Sequence, residues 1–308
     1  MRRRGIFLKP ADFAFALGGV NVLPVGFSAV THERLLPRPL QGPTKMVTPP
    51  ILDNKSTSSP SIFLASALLR EARRQKNLPA VEVPAVCILD PDGDIVRTLR
   101  QSGKARRFAD WPCYHTELDT FALAGQEVGI IGRVVGAAFA VLVAEELFAS
   151  GCRLLVSLTS AGQIVASGPP PYFVIIDRAL RDEGTSYHYA APAEFAEADP
   201  RLVEAAEKAG PKGGPRLVVG ATWTTDAPFR ETAEAIEAAR NKGILGVEME
   251  AAALYAFAQF VGMPLLCLAH ITNTMGRDGV DFEKGEDDGT ADALRVLSSV
   301  VAALYPAT

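Results

Sequence analysis

Residues 244–262, ILGVEMEAAALYAFAQFVG, change their hydrophobic period in mid-course. ILGVEM is a short apolar run with β-branched residues, a buried strand, and AAALYAFAQFVG is an Ala-rich helix that Gly262 ends. Glu248 and Glu250 stand at the passage between them, flanking Met249. Two acids at a helix start either complement the helix dipole or mark a site. The same grammar recurs on both sides. Upstream, VEVPAVCIL reads as a strand, FALAGQEVGIIGRVVG as a hairpin arm and a buried strand, and GAAFAVLVAEELFASG as a helix. RLLVSLTS, YFVIIDRAL and PRLVVGATWT read as strands, DPRLVEAAEKAG and RETAEAIEAARNKG as helices. PLLCLAHIT and ADALRVLSSVVAALY close the chain as strand and helix. Strands followed by crossover helices predict a three-layer α/β/α domain with a mostly parallel, mixed central sheet.

Before that domain the sequence is different. Residues 38–61 are rich in Pro, Ser and Thr, and from Ser61 the stretch IFLASALLREARRQ has helical spacing. We therefore expect residues 1–80 to form an N-terminal extension, a strap and a helix, and residues 81–308 to form the domain. Phe13–Thr31 runs 19 residues without a charge. Gly18-Gly19, Pro24 and Gly26 cut it into pieces too short for a membrane span, and no export cleavage site stands out.

With 31 basic against 35 acidic residues, a net charge of −4, the chain offers nucleic acid no general attraction. Cys87, Cys113, Cys152 and Cys267 form no C-x-x-C pair, so a reducing cytoplasm and no structural metal are expected. The signatures of P-loop hydrolases, G-x-S-x-G hydrolases, zinc peptidases and dinucleotide-binding domains are all missing.

In such a sheet, ligands bind outside the strands' carboxyl ends. Five segments lie there: Thr159–Gln163, small residues whose N–H groups suit an anion or a sugar or form a plain turn; Gly246–Ala253; Trp223–Glu231; Arg178–Tyr189; and His270–Asn273. Asp90–Asp94 reads either as a hairpin turn or as a backbone nest for phosphate.

Together and in order, GRVVGAAFAVLVAEELFASGCRLLVSLTSAGQI, RDEGTSYHY, TTDAPFRE and GVEMEAAALYAFA resemble the purine and uridine nucleoside phosphorylase family, which includes nucleosidases. The resemblance covers roughly residues 85–305. It implies a phosphorylase-like domain that cleaves the N-glycosidic bond of a purine or pyrimidine nucleoside with phosphate, giving free base and ribose 1-phosphate. It implies catalysis by Glu250, which holds the ribose hydroxyls, and by Asn273 near the leaving base. Substrate contacts fall to Met249, Glu248, Phe229, Ser160, Ala161, Gly162 and Arg230, and phosphate contacts to Gly93, Arg97, Ser160 and Arg133. It also implies no cofactor besides phosphate as co-substrate, and a homo-oligomer, a dimer or trimer of dimers, without membrane or nucleic-acid partners. Two departures bear on the nucleophile. Ser157-Leu158-Thr159-Ser160 lacks the arginine that phosphorylases carry before this turn, and no match appears for the N-terminal glutamate with which nucleosidases activate water. Where purine-specific members have an aspartate stands Asn273, whose amide donates a hydrogen bond but not a proton. The alternatives are a nucleosidase and a non-catalytic nucleoside-binding protein on the same fold.

Overall fold

A computed structural model describes residues 48–211, 213–274 and 284–307. The reading of Phe13–Thr31 and most of the expected extension lie outside the described residues. Of that extension the structure places helix α1 (Ala65–Lys76), ended by Asn77 in the left-handed conformation, with Leu69 and Ala72 buried.

From there the chain runs β1 (Val86–Asp90), α2 (Asp94–Gln101), β2 (Arg106–Arg107), β3 (Asp119–Leu123), β4 (Gln126–Gly132) and α3 (Ala137–Ala149). It continues with β5 (Leu154–Gln163), β6 (Tyr172–Asp182), β7 (Phe195–Glu197), α4 (Pro200–Lys208), β8 (Leu217–Thr225) and α5 (Ala233–Asn241). β9 (Gly246–Glu248), α6 (Ala251–Val261), β10 (Leu265–Thr274) and α7 (Thr290–Leu304) complete it. The helices start where local chemistry allows. Asp199 caps α4 by accepting from the Arg201 N–H, with Pro200 needing no partner, and Thr232 caps α5 by accepting from the Ala235 N–H.

The strands lie in the order β10-β6-β8-β9-β5-β1-β4-β3-β2, with β7 beside β6, and β10 also pairs with β5. That last pairing closes β5, β10, β6, β8 and β9 into a ring. Parallel ladders join β4 to β1, β1 to β5, β5 to β10, β6 to β8 and β8 to β9. The antiparallel joints β10–β6 and β5–β9 let the ring close. α3 and α6 share one apolar cluster, and α2 and α7 share another that also takes in Ala206 of α4. The layered α/β architecture expected from the alternation is therefore present, with a mixed sheet curled on itself. The Tyr255 hydroxyl ties α6 to the sheet, donating to the Ile176 carbonyl and accepting from the Cys267 N–H.

The ring is tight where β9 crosses β5. A methyl group on Gly246 would meet Ile271 Cδ1 at 2.8 Å and the Gly162 carbonyl oxygen at 3.1 Å. Gly246→Ala is expected to destabilise the fold by about 1–3 kcal/mol, the usual cost of overpacking, read as an earlier urea midpoint. An unchanged midpoint would show that β9 moves freely.

Of the two readings of Asp90–Asp94 the hairpin turn is excluded, because α2 begins at Asp94. Gly93 turns the chain at φ 79°, and the Asp90 carboxylate accepts from the N–H groups of Gly93 and Val96 at 3.2 and 2.9 Å. Ile95, Val96 and Leu99 then share the buried face of α2.

Candidate active site

Where β5 and β10 end beside β9, a cavity of about 280 Å³ opens. Its floor comes from Thr159–Gly162 of β5, Thr272 and Asn273 of β10, and Val247–Glu250 at the passage into α6. Its rim comes from Pro91 and Asp92 after β1, Val135 before α3, and Pro228, Phe229 and Glu231 after β8. Eight residues expected at a site thus meet here: Glu250, Asn273, Met249, Glu248, Phe229, Ser160, Ala161 and Gly162.

Glu250 is 1% exposed, and its carboxylate accepts from the Gly136 N–H at the head of α3 at 2.7 Å. Burial, and next the negative charge of Glu248, push its pKa up to about 8, against the pull of the Gly136 N–H and the Thr159 hydroxyl. Burial rather than a lack of donors raises it, and in its ionised form such a carboxylate binds a pair of hydroxyl groups strongly.

Glu248, expected beside the base, has its carboxylate turned inward. One oxygen accepts from the Thr222 and Thr224 hydroxyls at 3.0 and 2.5 Å, the other from the Glu250 and Ala251 N–H groups, both at 2.7 Å. It fixes the turn that presents Met249 and Glu250, although burial raises its own pKa. The Thr224 hydroxyl also accepts from the Ala252 N–H at 2.9 Å, so β8, β9 and α6 are locked through one chain of hydrogen bonds.

The expected phosphate ligands are not gathered in this cavity, apart from Ser160. Gly93, Arg97 and Arg133 line a second hollow of about 480 Å³ with Arg100, His115, Glu117 and Phe139. Arg97 is ion-paired with Asp94 at 2.7 Å and Asp288 at 2.5 Å. Arg230 follows Phe229 in a short 3-10 turn and is exposed. Phe229, at 99% exposure, stands fully in water at the rim.

The two other segments resolve differently. In Arg178–Tyr189, Arg181 is buried and donates to the Ser186 hydroxyl at 2.8 Å and the Ala191 carbonyl at 2.6 Å, a structural tie. His270 stacks on Phe173 with ring centroids 4.3 Å apart, and burial lowers its pKa to about 4, so it is neutral and lies away from the cavity.

Asp92 and Glu231 also line the cavity, although no substrate or phosphate contact was expected of either. Asp92 sat unremarked inside the Asp90–Asp94 turn; only the fold carries it over to Ser160, whose N–H and hydroxyl its carboxylate accepts at 3.2 and 3.0 Å. Glu231 closes TTDAPFRE, and burial raises its pKa.

Among the described residues no helix is long and apolar enough to cross a membrane. Residues 85–303 match the family model described as Phosphorylase superfamily. A DeoD-type purine nucleoside phosphorylase of Listeria welshimeri is 30% identical over 151 residues, covering 48% of this chain and 64% of that protein. The chain therefore spans less than two thirds of the length of that relative. A guanosine phosphorylase of Halorubrum lacusprofundi is 25% identical over 188 residues, 58% of this chain and 78% of that one. The solved uridine phosphorylase of Vibrio fischeri superposes with a TM-score of 0.60 at 18% identity, over 73% of this chain and 95% of the other, a likeness of fold. With the family model spanning the whole α/β domain and its sheet, the chain belongs to the phosphorylase superfamily.

Proposed function

We propose that this protein cleaves the N-glycosidic bond of a nucleoside. The observation that carries the reading is the buried Glu250 carboxylate on the cavity floor, with Met249 beside it and the Ser160 turn facing it. Breaking that bond builds positive charge on the ribose ring while the electron pair leaves with the base. A carboxylate that accepts from the 2′ and 3′ hydroxyls holds the sugar and becomes more favourable as that charge grows. Met249 supplies an apolar surface for the ribose, and Phe229, standing bare at the rim, gains cover by stacking on the base. The Asn273 amide steadies the departing base by hydrogen bonding without protonating it. That suits bases which carry negative charge readily, such as 6-oxopurines and uracil, better than adenine. The printed names of the relatives, purine, guanosine and uridine phosphorylases, point to the same bond.

The test is release of free base from inosine, guanosine, adenosine, uridine and thymidine, each with and without inorganic phosphate. Release from a 6-oxopurine nucleoside or uridine is the expected result. A nucleoside that raises Tm while none is ever cleaved would replace this reading with that of a binding protein.

A further inference from the structure

The Ser160 turn is already filled. Its two donors, the backbone N–H and the side-chain hydroxyl, point at the two oxygens of one carboxylate: the N–H reaches Asp92 Oδ2 at 3.2 Å and the hydroxyl reaches Asp92 Oδ1 at 3.0 Å. This is the two-point grip that a bound oxyanion would receive. The cation beside it, Lys284, is divided between Asp92 at 3.3 Å and Asp94 at 2.6 Å. Arg97 is held by Asp94 and Asp288, and Arg133 lines the other hollow. An incoming phosphate would meet a seated carboxylate, and among the described residues that line the cavity there is no arginine to offset the repulsion.

We propose that Asp92 is a built-in anion that occupies the seat of the attacking nucleophile, so that the cavity rejects phosphate and admits water. This rests on the reading of the cavity as a site of nucleoside cleavage. Asp92 is 30% exposed at its side chain, so water reaches the carboxylate from the cavity mouth. In the reaction, the water oxygen bonds to the anomeric carbon and the C–N bond breaks with its electron pair going to the base nitrogen. The water proton passes to Asp92, and the base nitrogen takes a proton from solvent. Free ribose and free base are the products, and Asp92 returns its proton to solvent.

Phosphate binding reads the seat without turnover. Wild-type protein is expected to show no Tm change on titration with inorganic phosphate, whereas Asp92→Ala, which vacates the Ser160 donors, gains a saturable stabilisation. Base release by the wild type is expected to be independent of phosphate. Asp92→Asn, which keeps shape but loses basicity, is expected to lower it about 100-fold with the fold retained. Phosphate that stabilises the wild type, a strict phosphate requirement for base release, or an Asp92→Ala protein indifferent to phosphate would each overturn the proposal. Absence of base release from every nucleoside would instead remove the cleavage reading, while the phosphate titration alone would still decide whether Asp92 fills the seat.

Discussion

Glu250→Gln is expected to lower kcat/KM by about 100-fold or more, the cost of losing a charge aimed at a developing cation, while making the ligand-free protein more stable. The second half follows from its burial. In the folded chain Glu250 keeps its proton up to about pH 8, because burial and the neighbouring Glu248 oppose its charge, whereas an ordinary glutamate gives the proton up near 4.5. Between those values the folded state binds more protons than the unfolded state, so stability falls as pH rises, and the loss is complete above about pH 8. Glutamine carries no such penalty. At neutral pH the gain is about 3 kcal/mol, visible as a Tm higher by about 8 °C and a flatter dependence of Tm on pH between 5 and 8. Wild-type kcat/KM should in turn rise as the pH passes through about 8, since the ionised form is the one that grips the sugar. A Glu250→Gln protein that is less stable yet fully active would remove both the ribose role and the electrostatic account.

Glu248→Ala should act in the opposite way, on folding first. It removes the acceptor from two threonine hydroxyls and two backbone N–H groups, all buried. Donors orphaned in the interior have no water to turn to, and the expected cost is about 3–5 kcal/mol in urea unfolding. Activity should fall as well, because the N–H of Glu250 is one of the four donors that fix the turn. Glu248→Gln, which keeps one oxygen in place, should recover part of the stability. A loss below about 1 kcal/mol for the alanine variant would mean that the hydrogen bonds around Glu248 re-form elsewhere.

Most of the sheet and helix order was legible because each element carries its own period. AAALYAFAQFVG reads as a helix and RLLVSLTS as a buried strand. α2 was not legible, since DIVRTLRQ is short and its start depends on the side chain of Asp90 capping from the preceding strand. The ring was not legible either: pairing of β10 with β5 leaves no mark on local periodicity. The same division holds for the site. Glu250, Met249 and the Ser160 turn announce themselves in motifs, whereas the Gly136 N–H and Asp92 reach the cavity only through tertiary approach across 114 and 68 residues. Glu248 was legible as a site residue but not in its orientation, because a motif does not state which way a carboxylate faces.

The closed ring divides the site into parts that can change at different rates. The floor of the cavity is built from ring strands and from the turn that directly follows β9, and a shift in one strand must propagate around all five. Pro228, Phe229 and Glu231 stand outside it, on the connection between β8 and α5. That connection is an exchangeable cassette: transplanting residues 226–232 from a relative with a different base preference should transfer the preference while leaving the ribose end untouched.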